Sequence, residues 1–237
     1  MFYKIYYYFI MCWNKEVSFS IGLTAFISGL YFTTINVNAG IAVMYFSLME
    51  ILQSFQYSVI DECDNNLNII LTIIGYIHIC FQPFFINLWF FAFAKKINYS
   101  LLYICLIGGF LLLSRLVSFD KYKISLNIKD NEVCDSNNEP LCGKKTCSLT
   151  GEKHIVWNIR MRSAGKYWWT PSMGLHFFLF VIPILTTFEM KPLLALLLSG
   201  PYFGYFLAND ISEQASIWCL TVSLQLIITF FLLHKIL

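Results

Sequence analysis

The sequence predicts an all-α membrane protein: a bundle of seven transmembrane helices with a small extramembrane β-hairpin cap between the fourth and fifth spans. Two observations lead to this fold class. The 237 residues are 58% hydrophobic and only 13% charged, whereas soluble domains carry about 25% charged residues, and the mean hydropathy is +0.64. Long runs without Asp, Glu, Lys or Arg recur, as over 17–49. Together these features exclude a disordered chain, a collagen-like repeat and an ordinary soluble domain.

Each predicted span is an apolar run of roughly the 20 residues that a helix needs to cross a bilayer core of about 30 Å. The runs lie near 17–36, 40–60, 66–94, 97–115, 171–188, 191–208 and 211–237. The turn-type cluster at 36–40 separates the first two, and Pro83 and Gly200-Pro201 predict kinks in the third and sixth. The stretch 2–13 is short for a span and lacks the cleavage site of a signal peptide. We interpret it as a tyrosine-rich interfacial lead-in.

The chain divides into a first membrane part, 1–116, an extramembrane loop, 117–168, and a second membrane part, 169–237. In the loop, apolar and polar residues alternate over 122–128 and over 155–161, which predicts two strands that each have one covered face. Cysteines and turn residues lie between them, so we expect a small cross-linked hairpin. The disulfide candidates are Cys63, Cys134, Cys142 and Cys147.

The cysteines also indicate on which side of the membrane the cap lies. With seven spans, Cys12, Cys63 and the three loop cysteines fall on the side of the N-terminus, and the loops of the opposite side contain none. This segregation favours disulfides in an extracytoplasmic compartment. Reduced cysteines on a cytosolic face remain the alternative, because the long loop carries most of the Lys and Arg residues. The C-x7-C-x4-C spacing matches no usual zinc pairing, and no metal or other cofactor is predicted.

Polar side chains inside the apolar runs give the candidate binding site. Glu50 is the only carboxylate deep within a predicted span, and such a charge is costly unless it faces the bundle interior and has a partner. Gln53 lies one turn later on the same face, and His78 and Gln82 share a face of the third span. Counting from the tight turn between these antiparallel spans puts Glu50 and His78 at one depth, about 16–18 Å. We therefore expect the two side chains to meet.

A second polar cluster is expected nearer the N-terminal side of the membrane. His176 lies about two turns into the fifth span, and Trp218 and Cys219 lie at a similar depth in the seventh. Cys12 precedes the first span on the same side. A single histidine among aromatic residues is more often structural than catalytic, and no catalytic residue is assigned. We keep His176 and Trp218 as candidate ligand-binding residues and Cys12 and Cys219 as further candidates.

Several known chemistries are disfavoured by residues that the sequence lacks. Seven-span retinal proteins need a lysine midway along the last helix, where only Lys235 occurs, at its end. Ceramidase-like hydrolases hold zinc with three histidines, and the chain has no H-x3-H pair. No phosphate-cradling glycine loop, G-x-S-x-G elbow or H-E-x-x-H helix occurs. The net charge of +2 disfavours nucleic-acid binding.

Three short stretches carry a resemblance to known sequences. Met11–Phe19 reads M-C-W-N-K-E-V-S-F, Met49–Gln53 reads M-E-I-L-Q and Ser216–Cys219 reads S-I-W-C. They resemble the opening M-C-[FW]-[SN]-x-x-[AV]-S-F, the second-span Q-L-x-E and the closing S-[VLI]-W-C of a family of uncharacterised multi-pass membrane proteins of bacteria and large DNA viruses. In this chain the Glu precedes the Gln. The resemblance implies importance for Cys12, Glu50 and Cys219, suits a viral or host membrane, and implies no activity.

The leading functional hypothesis is a non-enzymatic protein, surrounded by membrane lipid, that binds or translocates a small polar solute or a proton. Its site would comprise Glu50, Gln53, His78 and Gln82. An intramembrane lipid-modifying enzyme that uses His78 or His176 with a carboxylate is one alternative. A structural protein of a viral or host membrane is the other. The sequence defines neither the ligand nor the oligomeric state.

Overall fold

The computed structural model describes residues 14–94, 98–120, 123–126, 128–137, 139–152, 154–185, 213, 216 and 222–234. These residues form six α-helices: α1 Lys15–Thr33, α2 Val37–Gln56, α3 Asn66–Phe91, α4 Tyr99–Leu113, α5 Gly174–Leu185 and α6 Val222–Leu233. Four short strands lie between α4 and α5: β1 Ser118–Asp120, β2 Lys123–Ser125, β3 Cys147–Thr150 and β4 Ile155–Asn158. The segment 118–162, which contains the four strands, is called the cap.

The seven-helix bundle expected from the hydropathy pattern is wrong. Three helices of the described residues are long and apolar enough to cross a membrane, namely Lys15–Thr33, Asn66–Phe91 and Tyr99–Leu116, which is α4 with a short 3-10 extension. α2 has 20 residues, but Glu50, Gln53 and Gln56 lower its hydropathy. Twelve residues each of α5 and α6 are described, and the residues after α5 and before α6 lie outside the described residues. The span expected near 191–208 lies outside the described residues.

Asparagine side chains cap the N-terminal ends of three helices. Asn14, Asn36 and Asn65 each precede a helix and accept a hydrogen bond from a backbone N–H of its first turn, at 2.9, 3.2 and 2.9 Å. Such caps satisfy backbone donors that have no partner within the helix. Asn36 also donates its amide to the carbonyl of Ala92 (3.1 Å). The α1–α2 turn is therefore attached to the C-terminal end of α3.

α1 and α2 form an antiparallel hairpin in which the two backbones touch. A Cβ atom on Gly40 would lie 2.4 Å from the backbone nitrogen of Thr33 and 2.7 Å from the carbonyl oxygen of Gly29, so only glycine fits there. α2 packs against α1 and α3, and its polar residues Glu50, Gln53 and Gln56 are fully buried. Its polar residues are consequently enclosed by other helices.

Large apolar side chains are exposed along the outer faces of α1, α3 and α4. They include Phe19, Leu23, Ile27 and Leu30 on α1, Ile70, Ile74 and Ile77 on α3, and Ile104, Ile107 and Phe110 on α4. Monomeric soluble proteins rarely expose large continuous apolar patches. These faces support association of the three long helices with a membrane.

The cap contains two separate antiparallel strand pairs. β1 pairs with β2, and β3 pairs with β4 with Ser148 opposite Trp157. The strands predicted over 122–128 and 155–161 overlap β2 and β4, which belong to different pairs, so the single hairpin expected from the sequence is also wrong. The buried cap residues Ile155, Trp157, Ile159 and Met161 share one core with Met49, Tyr76 and Leu112 of the helices. The cap is thus packed onto the ends of the helices.

The four cysteines selected as disulfide candidates are bonded in two pairs. Cys63, in the turn between α2 and α3, bonds Cys147 at the start of β3. Cys134 bonds Cys142 within the cap. The first bond attaches the cap to the helices, and the second closes a short loop inside it.

A buried arginine attaches the cap to α4. Arg115 follows α4 and is fully buried. Its guanidinium pairs with the carboxylate of Glu139 and donates from Nε to the carbonyl of Arg162 (2.8 Å). Because removing one member of a buried ion pair leaves an uncompensated charge, this contact fixes the cap on the end of α4.

Candidate functional site

A line of polar side chains follows one face of α2. Gln53 and Tyr57 come three and seven residues after Glu50, a spacing that places all three on the same side of a helix. Glu50 and Gln53 have 0% exposure, and Tyr57 is the capping residue directly after α2. Seven residues of α-helix measure about 10 Å along the axis. The line therefore reaches from the interior of α2 to the cap.

Small residues of α1 allow this helix to pack closely against α2 beside Glu50. A Cβ atom on Gly22 would lie 2.9 Å from the backbone nitrogen of Ile51 and 3.0 Å from Cβ of Glu50, so a glycine is needed for this approach. Ser18 lies one turn earlier on the same face of α1 and is fully buried. Its hydroxyl faces the Glu50 carboxylate, although the two groups do not form a hydrogen bond of normal geometry.

His154 of the cap lies at the other end of the line. Its ring centroid is 6.0 Å from that of Tyr57. The backbone N–H of Ile155 donates to Nδ1 of His154 (2.8 Å), so a neutral ring carries its proton on Nε2. Burial lowers the pKa of His154 from its ordinary 6.5 to about 3, which keeps the ring neutral near pH 7. The backbone N–H of His154 donates to the carboxylate of Glu213.

Together, Ser18, Glu50, Gln53, Tyr57 and His154 are called the Glu50 column. Each has a buried polar atom without a hydrogen-bond partner among the described residues: Ser18 Oγ, both carboxylate oxygens of Glu50, both terminal atoms of Gln53, Tyr57 Oη and His154 Nε2. Most buried polar groups are hydrogen-bonded, and an unmet one costs about 1–3 kcal/mol. Their concentration along one line indicates a place where a ligand supplies the missing bonds.

A neighbouring polar residue differs from the column. Gln56 is fully buried, donates from Nε2 to the carbonyl of Leu71 (3.1 Å) and accepts from the indole N–H of Trp157 (3.2 Å). Both ends of its side chain are therefore satisfied by the protein. The unmet atoms of the column are thus not a general property of polar residues on α2.

His78 does not meet Glu50, so the contact expected from the sequence is wrong. The ring of His78 stacks on Tyr45 of α2, with 3.9 Å between centroids. In the described part of the chain, neither His78 Nε2 nor either oxygen of Glu50 has a hydrogen-bond partner. Tyr45 also donates its hydroxyl to the carbonyl of His78 (2.5 Å). These two contacts hold His78 beside Tyr45, more than one turn away from Glu50 along α2.

The remaining sequence candidates are dispersed. Gln82 is buried on α3, one turn beyond His78. His176 is buried on α5, where its ring lies 5.9 Å from Phe180 and hydrogen-bonds the backbone of Ile79. The candidates Cys12, Trp218 and Cys219 lie outside the described residues. Of the ligand-binding candidates, Glu50 and Gln53 belong to the column.

Sequence reasoning missed Ser18, Tyr57 and His154. Ser18 and Gly22 have the small-x-x-x-small spacing that lets two helices approach closely, and Tyr57 lies on the face of Glu50. These two signals are present in the sequence. His154 has no comparable signal, because its place depends on how the cap folds onto α2.

The column presents hydrogen-bond donors and acceptors around one carboxylate, and this set differs from the ligands of a metal ion. Within the described ranges, no group of three or more His, Cys, Asp or Glu side chains is arranged to hold a metal. Hydroxyl, amide and imidazole groups beside a carboxylate suit a polar organic solute or a proton.

Comparison with known families gives one match. The model of a family of unknown function, DUF5765, matches residues 20–235. The chain belongs to this family. The matched segment contains Glu50, Gln53, Tyr57 and His154, and Ser18 lies just before it. The family match covers most of the chain but supplies no activity, because the family is of unknown function. No curated protein and no solved structure matches the chain.

Proposed function

We propose that this member of DUF5765 is a multi-pass integral membrane protein that binds or translocates a small polar solute or a proton at the Glu50 column. The carboxyl group of Glu50 carries the proposal, because it is fully buried and neither oxygen has a hydrogen-bond partner among the described residues. A buried carboxylate without a partner is very unfavourable. Glu50 must therefore hold a proton or be neutralised by a cationic group of a ligand.

The surroundings of Glu50 favour binding over a purely structural role. A carboxylate that stabilises the fold accepts hydrogen bonds from donors of the protein. Asp61 is an example, because its oxygens accept from the backbone N–H and the hydroxyl of Thr150, at 2.8 and 2.7 Å. Ser18 and Gln53 lie next to Glu50 with their own polar atoms unmet. These neutral groups can donate or accept, and they suit a ligand that enters between them.

The long helices and the cap support a membrane orientation. α1 and α3 begin, and α4 ends, on the side of the cap, and all three are apolar enough to span a membrane. Disulfides persist in oxidising compartments, so we place the cap and the start of α1 on the extracytoplasmic side. Trp168 is 91% exposed between the cap and α5, as tryptophans at a membrane interface are. A viral or host membrane stays a prediction.

The proposal is tested with Glu50→Gln, which keeps the shape of the side chain and removes its charge and its acidic proton. Full-length protein in phosphatidylcholine nanodiscs is compared by infrared difference spectroscopy between two pH values, and by its thermal midpoint with methylammonium as a small cationic probe. We expect the wild type to show a carboxyl C=O band in the infrared difference spectrum, or a thermal midpoint that methylammonium raises. Glu50→Gln should show neither effect. Glu16→Gln, at an exposed position of α1, is the matched control and should resemble the wild type.

The two measurements separate the two kinds of ligand. The infrared band alone indicates a proton, and the methylammonium effect indicates a solute with a cationic group. If the wild type and Glu50→Gln are indistinguishable in both measurements, the column only packs helices in a structural protein and the proposal is wrong.

A further inference from the structure

We propose that the solute of the Glu50 column is a small primary amine that also carries a neutral oxygen acceptor, with the amine at Glu50 and the oxygen at His154. The inference rests on the proposed function and names the substrate class for the same site. It follows from the order in which acceptors and donors occur along the column.

The Glu50 end of the column is rich in acceptors. Two carboxylate oxygens of Glu50, Oε1 of Gln53 and Oγ of Ser18 are buried without hydrogen-bond partners among the described residues. A primary ammonium group presents three N–H donors and one positive charge. It would satisfy several of these acceptors at once and neutralise the carboxylate through charge-assisted hydrogen bonds.

The His154 end of the column presents a donor. Because Nδ1 accepts from the backbone N–H of Ile155, the proton of the neutral ring is on Nε2, which has no partner in the described part of the chain. A ligand group that meets Nε2–H must therefore be an acceptor. The hydroxyl of Tyr57, between the two ends, can donate or accept and does not restrict the ligand further.

The acceptor at His154 should be uncharged because this place is buried and the ring is neutral. His154 is 1% exposed, and its backbone N–H donates to the carboxylate of Glu213. A carboxylate or phosphate of the ligand would lose its hydration there beside an uncharged ring. The oxygen of an amide, ketone or ether would accept from Nε2–H at a smaller cost of desolvation.

The spacing of the two ends sets the length of the ligand. Glu50 and Tyr57 are about 10 Å apart along α2, and His154 adjoins Tyr57. The amine and the oxygen are therefore separated by a chain of several carbon atoms. N-acetylcadaverine, with a primary amine and an acetamide at the two ends of a pentamethylene chain, has this form.

The test compares three probes on the full-length protein in nanodiscs of phosphatidylcholine, a lipid whose headgroup has no primary amine. The probes are N-acetylcadaverine, pentylamine, which has no acceptor, and δ-aminovalerate, whose acceptor is charged. Calorimetry should give an affinity for N-acetylcadaverine about tenfold above that for pentylamine, the value of one added hydrogen bond, and also above that for δ-aminovalerate. Glu50→Gln should lose all three.

Two variants of His154 assign the added bond. The Oδ1 of His154→Asn can still accept from the backbone N–H of Ile155, but this side chain has no group at the position of Nε2. We expect the advantage of N-acetylcadaverine over pentylamine to disappear in His154→Asn. It should return in part in His154→Gln, whose longer amide reaches the position of Nε2.

The outcomes separate failure of this inference from failure of the proposed function. Equal affinity of the wild type for N-acetylcadaverine and pentylamine, or an advantage that survives in His154→Asn, overturns the inference alone. The wild-type comparison decides this even if a His154 variant does not fold. Pentylamine binding that is unchanged in Glu50→Gln overturns the proposed function. Phosphatidylethanolamine nanodiscs test a lipid source of the amine. Competition by this headgroup, which joins a primary amine to a charged phosphate, would contradict the neutral acceptor.

Discussion

Single buried polar residues of this protein differ in how well the fold satisfies them. Asn68, fully buried in α3, donates to the carbonyls of Val59 and Ser148 (2.7 and 3.0 Å) and accepts from the backbone N–H of Ser148 (2.9 Å). Glu50 is equally buried and makes no such bond within the described residues. A fold that fully satisfies one buried amide yet leaves a carboxylate unmet retains that carboxylate for a reason other than stability.

His154 should make the stability of the cap depend on pH. Because the pKa of His154 is about 3 in the folded protein and 6.5 ordinarily, the unfolded ring gains a proton below about pH 6.5 and the folded ring does not. Proton binding therefore favours the unfolded state. The folded protein keeps its full stability above pH 6.5 and loses stability as the pH falls towards 3. We expect the thermal midpoint of the cap, followed by near-ultraviolet circular dichroism of buried Trp157, to fall over this range.

The control for this pH effect is a histidine outside the cap. His154→Gln should show a shallower fall of the midpoint than the wild type, whereas His234→Gln, at an exposed position after α6, should follow the wild type. Identical pH profiles for His154→Gln and the wild type would mean that His154 is not the residue responsible.

The sequence singles out Glu50 and Gln53 as candidates, but it does not show which residues of other elements lie beside them. A carboxylate within a long apolar run is recognisable by composition alone, and spacing along α2 also identified Gln53. The partners of Glu50 depend on how separate helices are rotated, and this rotation is set by packing. His78 illustrates the limit, because it lies on an adjoining helix but is held by Tyr45.

Among the secondary-structure elements, the α2–α3 turn and β3 form the main attachment of the cap. Cys63 and Asp61 of the turn contact Cys147 and Thr150 of β3. This attachment lies beside the end of α2 where Tyr57 meets His154. The geometry of the outer end of the column therefore depends on how firmly the cap is held.

The two disulfides should contribute unequally to the stability of the cap. Cys63 and Cys147 are 84 residues apart in sequence, and Cys134 and Cys142 are 8 apart. Because a longer closed loop removes more entropy from the unfolded chain, Cys63→Ser should cost about 4–5 kcal/mol and Cys134→Ser about 2–3 kcal/mol. Chemical denaturation followed by Trp157 fluorescence measures both. A larger loss for Cys134→Ser would show that the cap is held mainly by its own core.

Strands of the cap were predicted only where a pattern is long enough to read. Alternation of apolar and polar residues identified the segments of β2 and β4, and in β4 buried and half-buried residues alternate as well. β3 has four residues, of which Cys147 and Ser148 are buried in succession, so it shows no period of two. The actual pairing of β3 with β4 therefore could not be inferred, and a single hairpin was expected instead.

For the whole molecule, composition predicted association with a membrane, and it predicted seven spans where the described residues show three helices that could cross one. An apolar run predicts a helix, but it does not distinguish contact with lipid from contact with other helices. α2 is enclosed by α1 and α3 and can therefore carry Glu50, Gln53 and Gln56.

The orientation of the molecule can be measured with one cysteine in the cap and one in the turn after α1. Lys144→Cys lies on the exposed surface of the cap and Ile35→Cys in the exposed turn after α1. The 19 residues of α1 measure about 28 Å, enough to place its two ends on opposite sides of a bilayer core. In intact cells, a membrane-impermeant maleimide should label Lys144→Cys, and it should label Ile35→Cys only after permeabilisation. The wild type gives the background, and Cys80 and Cys105 are buried.

Each labelling pattern has a distinct consequence for the column. The expected pattern opens the His154 end towards an oxidising, extracytoplasmic solution, in which the Cys63–Cys147 bond persists. The reverse pattern would place the cap in the cytosol, where that bond would be reduced and the outer end of the column would loosen. Labelling of both cysteines without permeabilisation would mean that α1 does not cross the membrane. Glu50 would then lie in a helical hairpin at the membrane surface, and a translocating role would be excluded while binding would remain open to test.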